Sequence, residues 1–395
     1  MDKIINNISA TFLFLLSLLV ASQYARADFE QPTGRNTPIT AYFDKQSPPS
    51  QIDIWVNESG GYDSSNPRKW GMNTLVCKSS SDPINGKCPT RPNEYGKTGV
   101  ASIPLTFVEK RSKLSFEINV SGYYYKAWIP ASTCDSSATH IMLYSAISYY
   151  CKDEMNTESD TDIFSVYLTQ DELKKFPFGG IWEAKLTLGL MRDDNYGKLG
   201  DWNSAITLNV SDISNQAIYF PSFGAGQGKD AQPHADLNLR PLPGGDRQVL
   251  GKLSGTTSLD MCLYDGYGSN SRQFQVTLSE PPEYPENPEG RQSGQFSVYN
   301  DNGDRNNKNN RIDYGVKMYF PESNNFQNVV NGQMYTLPNI NTDDIRAVRL
   351  ASNISNVVLC VPTPLQISTP AFNIVDKTNG HYTGKIRVVF TPSLW

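Results

Sequence analysis

Apolar and polar residues alternate with a period of two in one short segment after another. Leu105-Thr106-Phe107-Val108, Phe116-Glu117-Ile118-Asn119-Val120 and Ala184-Lys185-Leu186-Thr187-Leu188 have this pattern, as do Ile206-Thr207-Leu208-Asn209-Val210 and Phe274-Gln275-Val276-Thr277-Leu278. Successive side chains of a strand point to opposite faces, so alternation specifies a sheet with one face in a core and one in water. Clusters of Gly, Pro, Asn and Ser separate the segments, which keeps the strands short and points to sandwich architecture. The 21 Tyr and 17 Phe fit the same picture, because aromatic side chains pack well across pleated strands. Helical periodicity is confined to Thr169-Gln170-Asp171-Glu172-Leu173-Lys174-Lys175-Phe176, where Thr169 is placed to cap a turn or two and Pro177 to stop it. The fold class expected is all-β, with two β-sandwich domains in tandem.

Residues 1–27 read as a secretory signal peptide. Lys3 opens a weakly charged start, an apolar run follows from Phe12 to Ala21, and Ala25-Arg26-Ala27 supplies small residues before Asp28. No later stretch has eighteen consecutive apolar residues, so the mature chain is expected to be soluble. Its length exceeds what one hydrophobic core usually serves. The small polar residues Ser211 to Gln216 lie between a strand ending at Val210 and one starting at Ala217. That divides the mature chain into domains 28–213 and 217–395, with 214–216 as linker. Glu280 to Glu289, rich in Pro and Glu, reads as extended and solvated, and Asp301 to Asn310 as an Asn-rich hairpin tip.

Six cysteines in an exported chain read as three disulfides. Sequence leaves the connectivity open, and spacing favours two local pairs, Cys77 with Cys88 and Cys134 with Cys151, leaving Cys262 for Cys360. No Cys-x-x-Cys occurs and only three histidines are present, so neither a metal site nor a cofactor is expected. The formal net charge of −5 argues against a nucleic-acid partner.

The catalytic inventory is thin. His140, His234 and His381 are far apart, and none lies in a metalloprotease or nucleophile-elbow motif. Gly224 to Gly228 lacks the following helix of a phosphate loop, and Asp301 to Asp304 has Gly303 at a ligand position and no bidentate Glu at the place a calcium loop requires. The chain reads as a non-enzyme; the alternative is a secreted β-sandwich carbohydrate-active enzyme. Tyr123-Tyr124-Tyr125 and Trp128 are candidates to stack on a sugar, although strand packing is the simpler use of such a run.

Six stretches stand out together. They are Phe107-Val108-Glu109-Lys110-Arg111-Ser112, Phe176-Pro177-Phe178-Gly179-Gly180-Ile181-Trp182-Glu183-Ala184, Ala235 to Pro241, Ser258 to Tyr267, Val358-Leu359-Cys360-Val361-Pro362 and Gly380 to Pro392. In this order they resemble the tip adhesins of CS1/CFA-I type (alternate chaperone–usher) fimbriae, the family that includes the CblD-like pilus initiators. The resemblance implies an N-terminal receptor-binding sandwich and a C-terminal pilin domain of incomplete immunoglobulin-like fold. It implies four partners: a periplasmic pilus chaperone, an outer-membrane usher, a major pilin subunit, and a glycan or glycoprotein on a host surface. The chain would travel through the periplasm to the fimbrial tip and initiate assembly by accepting a donor strand.

In the last such stretch Ile386, Val388 and Phe390 alternate toward one face, which makes them candidates for the edge that receives the strand. Pro32, Pro38, Pro48 and Pro49 interrupt the mature start, and each removes a ladder donor, so this end is a poor donor strand. The resemblance also implies basic receptor contacts after the strand that follows Phe178-Gly179-Gly180-Ile181-Trp182. Arg192 matches the first of these, but Asp193 stands at the next. A further basic position aligns with Met72, with Arg68 and Lys69 nearby. The candidate receptor contacts are therefore Arg192, Arg68 and Lys69.

Overall fold

The computed structural model describes residues 29–63, 66–93, 97–127, 140–146, 161–192, 197–223, 233–242, 251–340, 345–349 and 357–393. The signal segment, Cys134, Cys151, Trp128 and the Gly224–Gly228 loop lie outside the described residues.

The first domain runs through β1 (Ile39–Asp44), β2 (Gln51–Ser59), the helical turn α1 (Pro67–Trp70), β3 (Asn73–Cys77), β4 (Ala101–Glu109) and β5 (Ser115–Ala127). It continues with β6 (Thr161–Thr169), the turn α2 (Gln170–Leu173), β7 (Gly180–Arg192) and β8 (Lys198–Ser211). Hydrogen bonding orders these strands β8-β7-β4-β5-β6-β2, with β1 added parallel to β8 and β3 antiparallel to β7. The expected alternation is present: Ala101, Ile103, Leu105 and Phe107 of β4 are buried, as are Ile118, Val120 and Tyr124 of β5. Thr169 caps α2 as expected, its hydroxyl accepting from the Glu172 N–H. The helix ends at Leu173, ahead of Pro177.

Strand β7 departs from the expected pattern, with Leu186 to Leu190 buried without a break. On one side it pairs with β8 along nearly its whole length. Its other side meets β4 at Trp182 and Glu183, then β3 from Leu188 to Arg192. One strand thus passes between two layers, and both of its faces are covered there. The Cys77–Cys88 disulfide lies against this crossing, and the Thr187 N–H donates to the Asn85 carbonyl at 3.1 Å.

The second domain contains β9 (Ala217–Tyr219), β10 (Thr256–Leu259), β11 (Cys262–Tyr264), β12 (Gln273–Ser279), β13 (Phe296–Asn300), β14 (Arg311–Phe320) and β15 (Asn325–Val329). Then come β16 (Met334–Pro338), β17 (Arg346–Val348), β18 (Val358–Pro362), β19 (Leu365–Ser368), β20 (Tyr382–Thr383) and β21 (Arg387–Pro392). The sheets are β10-β19-β14-β13-β20, β16-β12-β21 and β9-β11-β18-β17. Phe274, Val276 and Leu278 of β12 meet Val316 and Met318 of β14 in the core between them. The Cys262–Cys360 disulfide joins the paired strands β11 and β18.

The segment Glu280 to Glu289 is solvated as expected at Pro282, Glu283, Glu286, Asn287 and Glu289, but Glu280 and Tyr284 are tied down. Glu280 forms a 2.6 Å ion pair with Arg291, both side chains nearly buried, and Tyr284 packs edge-on against Tyr299. Composition misleads here because one buried arginine recovers the cost of burying one carboxylate, which the Pro/Glu content does not reveal.

Three of the stretches singled out in the sequence meet where the domains join. Buried Glu109 accepts hydrogen bonds from the N–H groups of Arg111 (3.0 Å), Ser112 (2.6 Å) and Ile181 (3.3 Å), from the Ser112 hydroxyl (2.7 Å) and, across the joint, from the Asn270 amide (3.1 Å). The Asp212 N–H donates to the Gly266 carbonyl at 2.7 Å and the Tyr267 hydroxyl to the Asn209 side chain at 2.7 Å. Gly179 has no room for a side chain, since a Cβ there would lie 2.0 Å from the Gly266 oxygen. Burial, reinforced by the carboxylates of Asp265, Asp212 and Glu109, pushes the Tyr264 hydroxyl well above its ordinary pKa, so it stays neutral. The apolar core of the first domain continues through Cys262, Tyr264, Val358 and Cys360.

Glu109→Ala leaves the donors of Arg111, Ser112, Ile181 and Asn270 without their acceptor in a buried site. The variant is expected to lose about 3 kcal/mol or more of stability in denaturant unfolding, whereas Glu117→Ala on the same sheet is expected to stay within about 0.5 kcal/mol.

Candidate functional site

Two regions hold the candidate residues, one at the far end of the first domain and one at the edge of the second.

Arg192, half-buried, is the last residue of β7 and stands opposite Asn73, the first residue of β3. Its N–H donates to the Gly197 carbonyl at 2.9 Å. Turn α1, which carries Arg68 and Lys69, ends at Trp70, two residues before Met72 and three before Asn73. The fold therefore brings Arg192, Arg68 and Lys69 to one pole, although more than a hundred residues separate them in sequence. Lys69 is already engaged: its ammonium lies 3.1 Å from the Asp63 carboxylate and 3.8 Å from the centre of the Trp70 ring.

Beneath this pole is a buried ion pair that sequence reasoning missed. The Lys126 ammonium lies 3.1 Å from Asp162, and both side chains are almost completely excluded from solvent. The other oxygen of Asp162 accepts from the Asn73 N–H at 2.9 Å. The Asn73 amide in turn donates to the Gly60 carbonyl at 2.8 Å and to the Trp70 carbonyl. One carboxylate thus ties together the end of β5, the start of β6, the start of β3, the turn after β2 and the end of α1. The signal was available in the alternation: Ile118, Val120, Gly122 and Tyr124 face the core, and Lys126 is next in that register.

The tyrosine run divides by the same alternation. Tyr124 is buried and donates to the Ser145 carbonyl at 2.5 Å. Tyr123 lies half-buried on the other face, with the His140 ring stacked on it at 3.7 Å. Desolvation, followed by the neighbouring Tyr123, raises the hydroxyl pKa values of Tyr125 and Tyr167, so both remain neutral donors at physiological pH. His381, in the other domain, contacts Asp301 at 2.8 Å on an exposed surface. Hydrogen bonds from Thr383 and then His381 hold the Asp301 carboxyl below its usual range.

In the second domain β21 lies at the end of the β16-β12-β21 sheet. Among the described residues it pairs on one side only, in register from Phe274↔Pro392 to Ser279↔Arg387. Ile386, Val388 and Phe390 turn toward the core, where Phe390 meets Phe274 edge-on at 4.8 Å. All three stay only half-buried, whereas Phe274, Val276 and Leu278 of the neighbouring strand are fully buried. The opposite end of the chain is already committed: Ile39 to Asp44 pair with Ile206 to Ser211.

Lys126→Ala strands the Asp162 carboxylate in a dry site and is expected to destabilise the first domain by about 3–5 kcal/mol. Lys126→Met combined with Asp162→Leu removes both charges and is expected to lose much less, as read by denaturant unfolding.

A family model for the first domain of CfaE, a CFA/I fimbrial protein, matches residues 24–213, and one for the CfaE second domain matches residues 216–394. The CFA/I fimbrial protein CfaE of Escherichia coli is 30% identical over 331 residues, covering 81% of this chain and 80% of that protein. The crystal structure of CfaE, the adhesive subunit of the CFA/I fimbria of enterotoxigenic E. coli, superposes with a TM-score of 0.75 at 26% identity, over 92% of this chain and 94% of that one. A structure from a chaperone–tip adhesin complex of CFA/I fimbriae superposes with a TM-score of 0.66 at 26% identity, over 94% of this chain and 99% of that one.

Proposed function

The chain belongs to the CfaE family of CFA/I fimbrial proteins, and from that premise we propose that it is a fimbrial tip adhesin that attaches bacteria to host surfaces and begins pilus assembly by accepting a β-strand. The observation that carries the assembly half is β21, an end strand whose inward residues Val388 and Phe390, with Ile386 just ahead of it, remain half-covered. An extended segment laid along that edge would satisfy its backbone groups and cover those side chains, which is recognition by strand addition.

A periplasmic chaperone is the first occupant in this reading; a similar structure comes from a chaperone–tip adhesin complex. An outer-membrane usher and the donor segment of a major pilin follow. Residues 217–395 are the strand acceptor, 214–216 the linker and 28–213 the receptor-binding domain, with export through the periplasm directed by residues 1–27. The pairing of Ile39 to Asp44 with β8 supports the polarity, because a paired strand is not free to be donated. A pilus component that takes a strand and gives none belongs at the tip.

The receptor contacts proposed are Arg192, Arg68 and Lys69, with a host glycan or glycoprotein as ligand. Lys69 is the weakest of the three, since Asp63 neutralises it locally. No observation among the described residues favours the alternative of a carbohydrate-active enzyme.

Two experiments test the two halves. Val388→Asp combined with Phe390→Ser places polar groups in the proposed groove and is expected to abolish co-purification with the cognate chaperone; unchanged recovery of the complex would refute strand acceptance at β21. Arg192→Ala is expected to reduce adherence of fimbriated cells at least tenfold with pilus number unchanged. Equal adherence would remove Arg192 from the receptor site.

A further inference from the structure

A second site lies on the flank of the first domain, at the other end of β3 from Arg192. Arg192 stands opposite Asn73, whereas Cys77, the last residue of β3, carries the disulfide loop that walls an open cleft of ≈ 620 Å³. Four residues of strand separate these positions, about 13 Å. The volume is that of a small-molecule site, which typically spans roughly 300–1,000 Å³.

Backbone pairing fixes the walls. The Cys77 N–H donates to the Pro89 carbonyl at 3.0 Å, Cys88 to Ser79 at 3.3 Å and Lys87 to Pro104 at 2.9 Å. On the far side the Asn93 N–H donates to the Tyr144 carbonyl at 2.8 Å, and Ala146 donates back to Asn93 at 3.0 Å. The disulfide and this ladder hold the cleft in shape before any ligand arrives.

The lining has three kinds of group. Among the described residues Lys87 and Arg91 are its only charged groups, and neither forms an ion pair there. Ser80, Thr90 and Ser102 supply hydroxyls, all three residues being exposed. Tyr144 offers a half-buried ring whose hydroxyl makes only a 3.7 Å contact with the Met142 sulfur. On a chain of net charge −5, two cations with no acidic partner among the described residues face one cleft and favour a positive potential there.

Each group fits one part of a single ligand class. The guanidinium is shaped to take a planar or tetrahedral anion with two parallel hydrogen bonds, and the ammonium adds a point charge. The tyrosine face is apolar and suits the C–H side of a sugar ring, and the hydroxyls match ring hydroxyls. We propose that this cleft, framed by Lys87, Arg91 and Tyr144, binds a saccharide carrying one carboxylate or sulfate group. The site is separate from the pole, and the proposal stands whether or not Arg192 contacts a receptor.

The test is calorimetric titration of the whole chain, in the soluble form in which it purifies, with sialyllactose, sulfated lactose and plain lactose. At least one anionic sugar is expected to bind tenfold or more tightly than lactose, the preferred one showing whether carboxylate or sulfate is the anion. Lys87→Ala combined with Arg91→Ala is expected to weaken that binding at least tenfold. Ser102→Trp, which fills the cleft and keeps both charges, is expected to do the same with an unchanged melting temperature. Glu117→Ala, an exposed change on the same domain outside both sites, is expected to leave the affinity unaltered. Absence of binding by both anionic sugars, equal binding of lactose, or full affinity in the cleft variants would overturn the proposal. So would tighter binding of an aspartate-rich peptide, or a loss seen only with Arg192→Ala; that last result would move the sugar to the pole and strengthen the adhesin reading.

Discussion

A β-strand at the end of a sheet has backbone groups with no partner, and β21, paired on one side only among the described residues, combines that deficit with an apolar one. Val388 and Phe390 point to the core yet remain half-covered, one strand away from Val276 and Leu278, which are fully buried. Water solvates the free amides and carbonyls adequately, but it does not solvate the adjacent apolar row, so the edge favours a further strand. Covering a side chain of this type contributes roughly 1.5–3 kcal/mol when the change is complete. Three half-covered side chains leave on the order of several kcal/mol to be gained from an occupant. The second domain depends on how that edge is met.

The first domain is held by polar interactions of a different kind. The Lys126–Asp162 pair fixes the pole through Asn73, and Glu109 gathers donors on both sides of the domain joint. Each charge is buried with its partners in place, the condition under which such groups give specificity without a net loss. Together with the continuous apolar core across Cys262 and Tyr264, they connect the pole to the β11–β18 end of the second domain through packed, hydrogen-bonded structure.

The period-two segments were legible because alternation is a direct consequence of the pleat, and the strands fall where it placed them. The cap at Thr169 was legible for an equally local reason. Leu186 to Leu190 were harder, because burial on both faces of β7 comes from β3 and the disulfide loop, which are distant in sequence. Lys126 lay in plain register with Ile118, Val120 and Tyr124, but its buried position makes sense only once Asp162 is seen beside it. Glu280 misled because composition does not reveal that Arg291 turns back onto it. The resemblance singled out Arg192, Arg68 and Lys69, but that Arg192 meets Asn73 beside them, and that Arg91 shares a cleft with Tyr144, arises only through tertiary pairing. The stretches that carried the resemblance proved informative in an unexpected way, since three of them build the joint between the domains.

The most direct measurement is amide hydrogen exchange along Arg387 to Thr391, in the isolated mature chain and after addition of an extended apolar peptide. Alternate amides, those not bonded to β12, should exchange freely in the isolated chain and become protected once the peptide is bound. Uniform protection of that strand in the lone monomer, unchanged by any added peptide, would mean that the second domain already closes its own sheet.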